Sequence, residues 1–192
     1  MMIGALDAPR RQVAEIDYAL LWSVLILLFT GLVMVYSASI AIAEGGRFTN
    51  HQPAYYLVRH GVFLCIGLVA AAVAFQVPLS LWQKNAPYLF MIGVVLLAIV
   101  LIPGIGKDVN GARRWLPLGF ANLQPSELMK LFAVLYAADY TVRKINVMHD
   151  LKQAFLPMFG AMAVVGMFLL KEPDFGAFVV IISIAMGILF LG

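Results

Sequence analysis

The sequence predicts an all-α fold, a polytopic transmembrane helical bundle of about six helices, and three observations carry that prediction. Of its 192 residues, 63% are hydrophobic and only 12% charged, against roughly 45–50% apolar and 25% charged in a soluble domain. Six apolar runs approach the roughly 20 residues needed to cross a bilayer. None of the six alternates in the period-2 manner of a membrane β-strand, and backbone polar groups in lipid must find partners within their own segment, so each run is read as a helix.

The first run, about Tyr18 to Ile42, follows "PRRQVAEID". Its length exceeds the 7–15 residues of a signal-peptide core, so an uncleaved helix is expected, with residues 1–17 as a cytoplasmic N-terminal segment. The second spans about Leu57 to Phe75 and the third Pro87 to Pro103. A long linker, 104–124, contains "NGARRWLPLGFANLQ" and is expected as an extracytoplasmic loop. Pro125 opens the fourth run, which ends near Tyr140, because a proline's missing N–H costs nothing in the first turn of a helix. The fifth and sixth runs are Phe155 to Leu170 and Phe175 to Leu191. Linkers punctuated by Pro, Gly and Asn leave no room for a soluble domain, so residues 1–192 read as a single integral membrane domain.

Charge excludes some functions and points to one region. The net charge of +3 is spread along the chain without a basic tail, so nucleic acid is not an expected partner, whereas membrane lipid is. Cys65 is the one cysteine, so no intrachain disulfide forms. His51, His60 and His149 are not expected to share a metal, since His149 falls on the other side of the membrane. The cofactor, including any divalent cation, is left open by the sequence. With the N-terminus inside, Arg10, Arg11, Lys84, Arg143, Lys144 and Lys152 lie inside and Arg47, Arg59, Lys107, Arg113, Arg114 and Lys171 outside, six against six. The positive-inside count therefore ties. A basic cluster that opposes the usual cytoplasmic anchors "RR" and "VRK" suggests anion binding.

That cluster continues into the fourth helix. Glu127 sits in its first turn, where the helix dipole favours a carboxylate, and Lys130 follows at i+3 on the same face, where the two can pair. Intramembrane charge usually faces a polar cavity, which makes Arg113, Arg114, Glu127 and Lys130 the candidate substrate-binding residues; the bland alternatives are an interfacial pair with a snorkelling lysine and a headgroup-contacting loop. Asp174 in "KEPDFG" reads as the cap of the sixth helix. Asp139 reads as a boundary residue.

"NGARRWLPLG" and "LQPSELMKL", with "VMVYSAS", "AADYTVRK" and "EPDFGAF" in order, resemble the signature of the SEDS family (shape, elongation, division and sporulation), and most closely its cell-division branch. The resemblance implies the first part of a fold of about ten helices in the bacterial cytoplasmic membrane, at the division septum. It implies a peptidoglycan glycosyltransferase that polymerises lipid II beside a class B penicillin-binding protein and other division proteins. It assigns Arg114 as the loop arginine and Glu127 and Lys130 as the buried acid and base. The family's presumed catalytic aspartate belongs to a later "HTDF"-like loop, which is absent here. The catalytic residue is thus unknown in this chain, which is expected to be an N-terminal fragment inactive alone. A lipid II flippase or a non-catalytic division scaffold are the alternatives.

Overall fold

The computed structural model describes residues 17–46, 49–109, 111–119, 121–147 and 150–191. They form six α-helices: α1 (Tyr18–Gly45), α2 (Tyr55–Gln76), α3 (Leu79–Val100), α4 (Pro125–Lys144), α5 (Leu156–Lys171) and α6 (Phe175–Leu191). Three short strands, β1 (Lys107–Val109), β2 (Ala112–Pro117) and β3 (Asn122–Leu123), lie between α3 and α4. The chain divides into two compact units, residues 1–76 and 77–192.

The first unit holds α1 and α2. Asp17 caps α1 by accepting hydrogen bonds from the amides of Ala19 at 2.9 Å and Leu20 at 3.1 Å, relieving two of the amides left unpaired at any helix start. Both helices are long and apolar enough to cross a membrane. Large side chains such as Trp22, Phe29 and Ile66 are exposed, a distribution suited to lipid rather than water.

The second unit is built around α4, which packs against both α3 and α6. Its core-facing residues recur at helical spacing: Met129, Ala133, Ala137 and Tyr140 on α4, Met158, Met162, Val165 and Leu169 on α5, and Ala177, Ile181 and Ala185 on α6. Phe90 and Leu97 of α3 complete the cluster. Gly93 permits the α3–α4 approach, since a Cβ there would lie 2.5 Å from Met129 Sδ. Phe90 stacks on Tyr136 with centroids 4.3 Å apart, and the Tyr140 hydroxyl donates to the Ala154 carbonyl at 2.9 Å.

Several boundaries differ from expectation: α1 runs on to Gly45 and α4 to Lys144, while α3 ends at Val100. Helix α3 starts at Leu79 and runs through Pro87 rather than starting there. Proline removes one backbone bond, to the carbonyl four residues back, but the flanking turns of α3 hold. Helix α5 is preceded by one π-turn, Leu151–Phe155. Linker 104–124 is also more ordered than a loop. It forms an antiparallel sheet of order β1-β2-β3, in which the two-residue link after Val109 places Gly111 at φ +78°, a conformation open to glycine without steric cost.

Candidate substrate-binding site

Strand β2 carries Arg113 and Arg114 over the head of α4. Consecutive residues of a strand project to opposite faces, and the two arginines accordingly meet different partners. Arg113 faces Asp108, its cross-strand neighbour, donating from Nε at 3.1 Å and from Nη2 at 3.0 Å. This is the two-pronged pairing a planar guanidinium favours. Nη1 donates to the Leu101 carbonyl at 3.2 Å. The Asp108 hydrogen bonds, and then its charge, push the Arg113 pKa up from its ordinary value. The arginine stem crosses Gly106, where a Cβ would stand 1.9 Å from the Val100 carbonyl oxygen and 2.7 Å from Arg113 Cγ. No other residue fits that turn without moving backbone.

Arg114 reaches the turn between α5 and α6. Its Nε donates to the Glu172 carbonyl at 3.0 Å and its Nη2 to the Pro173 carbonyl. A cation there meets the carbonyl-rich end of α5, where the helix dipole favours positive charge. The same turn is tied to α4 through Asp174, whose Oδ2 accepts from Ser126 Oγ at 2.9 Å and from Gln124 Nε2 at 3.3 Å. Asp174 Oδ1 accepts from the Ala177 amide at 3.2 Å, so the residue caps α6 as the sequence suggests and also latches α6 to α4. Strand, turn and helix head thus form one hydrogen-bonded assembly.

Glu127 and Lys130 lie one turn apart at the head of α4, with Lys130 Nζ 2.8 Å from Glu127 Oε2 and 2.9 Å from Oε1. The glutamate side chain is 59% exposed and the lysine 31%. The pair is therefore accessible, at the same end of the unit as the sheet. The structure brings Arg114, Glu127 and Lys130 to this end; Arg113 is there too, but its fork is committed to Asp108.

Glu172 is a functional candidate that sequence reading passes over. Its side chain is fully buried, and neither carboxyl oxygen has a hydrogen-bond partner among the described residues. Burial first, then the neighbouring Asp174 carboxylate, pushes its pKa up to about 8, while Arg114 opposes the shift. Sequence holds only the tripeptide "EPD"; nothing local marks the first acid as buried. Ser126 and Gln124 were equally hidden, since their partner lies 48 and 50 residues away. Of the histidines, His51 bonds the Glu44 carbonyl through Nδ1 at 2.6 Å, His60 lies on α2, and His149 falls outside the described residues.

The pattern of the FtsW/RodA/SpoVE family, described as cell cycle proteins, matches residues 18–192. The chain belongs to this family. It is 59% identical over 190 residues to the "Probable peptidoglycan glycosyltransferase FtsW" of Aromatoleum aromaticum, covering 99% of this chain and 46% of that one. It is 54% identical to the protein of the same name from Burkholderia thailandensis, of which it covers 41%. The chain thus spans somewhat under half the length of these relatives. Among solved structures it resembles the Thermus thermophilus rod shape determining protein RodA, with a TM-score of 0.63 and 28% identity over 84% of this chain and 52% of that one. A chain from a structure described as a peptidoglycan synthase complex that coordinates polymerisation and crosslinking matches with a TM-score of 0.62 at 26% identity, over 84% of this chain and 46% of that one. The all-α membrane fold and the family resemblance read from sequence are both borne out. The protein is a multi-pass membrane protein.

Proposed function

We propose that this chain serves the polymerisation of lipid II by glycosyl transfer in septal cell-wall synthesis, at the bacterial cytoplasmic membrane and beside a class B penicillin-binding protein. The observation that carries this reading is the 59% identity to a relative named as a peptidoglycan glycosyltransferase over 99% of the chain, a span that includes β2, the head of α4 and the α5–α6 turn. Support for the partner comes from the likeness to a chain of the synthase complex.

The chemistry asks for cationic donors where charge grows on a leaving pyrophosphate and for a base at the acceptor hydroxyl. Arg114 suits the first task. Two of the five N–H donors of a guanidinium go to the carbonyls of Glu172 and Pro173, which fixes the plane of the fork and leaves further donors for phosphate oxygens. Lys130, oriented by Glu127, adds a second positive group on the same end of the unit. Asp174 is already occupied by Ser126, Gln124 and the α6 amide, so the base is not assigned to it. Arg113 supports the loop by holding β1 to β2.

The test uses the whole protein, extended to the length of its relatives and reconstituted with a penicillin-binding protein that has no glycosyltransferase activity of its own. Labelled lipid II is supplied and glycan polymer measured. Arg114→Ala and Arg114→Lys should both reduce polymer by at least tenfold at unchanged membrane abundance, because lysine cannot reproduce the two carbonyl bonds and the fork. Undiminished polymer from Arg114→Ala would remove the arginine from the substrate site. Translocation of lipid II without any polymer from the parent protein would replace the polymerase reading with a flippase.

A further inference from the structure

The second unit has a polar groove at the end opposite the sheet. Helix α3 runs from Leu79 toward the sheet and α4 returns from it, so the first turns of α3 and the last turns of α4 share that opposite end. Between them lies a cavity of about 420 Å³ lined by Ser80, Gln83, Lys84, Pro87, Asp139 and Arg143. The volume falls within the range of small-ligand sites. None of these residues belongs to the site above.

We infer that this groove binds the phosphate of an anionic phospholipid. Asp139 is 7% exposed and accepts from Arg143 Nε at 2.7 Å. The buried carboxylate therefore sets the orientation of a half-exposed guanidinium at the mouth of the groove, an arrangement of rotamer and plane that suits phosphate oxygens. Lys84 supplies a second positive charge, and Ser80 and Gln83 supply neutral donors. With Asp139 counted, the lining carries one net positive charge. The surroundings select a lipid over a soluble phosphate: Leu79, Leu81 and Tyr88 on α3 and Val142 on α4 are large, apolar and exposed beside the groove, where acyl chains can cover them. Basic pockets between helices at a membrane boundary are suited to anionic headgroups.

The probe is dioctanoyl phosphatidylglycerol titrated onto the full 192-residue chain in a neutral detergent, followed by native mass spectrometry and thermal shift. Dioctanoyl phosphatidylcholine and inorganic phosphate serve as the competing arms. Phosphatidylglycerol should bind at least fivefold tighter than phosphatidylcholine, and Lys84→Gln should abolish most of that preference, as expected for a cation contributing near a lipid surface. Because Arg143→Gln alone strands a buried carboxylate, the arginine is removed together with Asp139→Asn, and this double variant should lose the preference as well. Equal binding of the two lipids would overturn the proposal, as would full preference in both variants. Displacement by inorganic phosphate at the same concentration as the lipid would overturn the lipid assignment.

Discussion

Arg113 and Arg114 are adjacent in sequence yet do different work, because β2 turns them to opposite faces; one braces a hairpin and the other clasps a turn nearly sixty residues away. The motif "ARRW" contains both charges but no trace of this division, which depends on a short strand with no alternating apolar pattern. Glu172 lies beneath the clasp, and its titration is predictable. A carboxyl whose folded pKa is raised from 4.5 to about 8 holds its proton more tightly when folded. The stability due to that protonated state is fully present below pH 4.5 and is lost as pH rises through 8, at about 1.4 kcal/mol per pH unit between. Melting curves in detergent from pH 5 to 9 should therefore fall faster for the parent than for Glu172→Gln, whose side chain stays neutral. Parallel curves would show that another group titrates. Asp174 makes the complementary case. Asp174→Ala removes the α6 cap and the acceptor of Ser126 Oγ, while Gln124 Nε2 keeps Ser126 Oγ at 3.0 Å; the change should cost roughly 2–3 kcal/mol in a denaturation series, and Asp174→Asn should recover part of it.

Helix α4 is the element that organises the second unit, and its sequence shows why hydropathy alone undervalues it. Charges at both ends, Glu127 and Lys130 at one and Asp139, Arg143 and Lys144 at the other, leave a short apolar middle. Yet α4 is flanked by α3 and α6, so small and flexible residues on its buried faces suffice where a lipid-facing helix needs bulk. The apolar runs made α4, α5 and α6 legible to within a few residues. The start of α3 was not legible, because polar residues interrupt "LSLWQKNAP" and its proline reads as an N-terminal signal; of those residues Ser80, Gln83 and Lys84 instead line the groove beside Asp139 and Arg143. The sheet was hidden for a different reason, since its strands are two to six residues long and stabilised by one cross-strand ion pair and their attachment to α5–α6. Close packing between α3 and α4 gives a test at this scale. Gly93→Val forces a branched side chain against Met129 and Phe132 and should destabilise the protein by about 1–3 kcal/mol. Gly160→Ala, at a position with open space, should leave the melting temperature unchanged or slightly higher. Equal effects of the two would mean that the α3–α4 contact is not tight.

On the scale of the whole molecule, membrane orientation is the quantity that the sequence leaves tied and the fold constrains. The basic residues split evenly between the two sides, so the count of lysines and arginines gives no preference. The second unit, however, places the sheet between α3 and α4 and the segment Ile145–Val147 beyond the far end of α4. A 20-residue helix is about 30 Å long, which matches the hydrocarbon thickness. If α4 crosses the bilayer, the sheet and the segment Ile145–Val147 lie on opposite faces of the membrane. Cytoplasmic anchoring by "RR" and "VRK" would then put Val147 inside and the linker between α3 and α4 outside. In a Cys65→Ser background, a cysteine at 110 should react with a membrane-impermeant thiol reagent in intact spheroplasts, and one at 147 should react only after lysis. The reverse pattern would invert the orientation and place Arg114 and Lys130 on the cytoplasmic side, away from an extracytoplasmic polymerisation. Reaction at both positions before lysis would mean that α4 does not cross, and the groove at Lys84 and Arg143 would then share a face with the sheet.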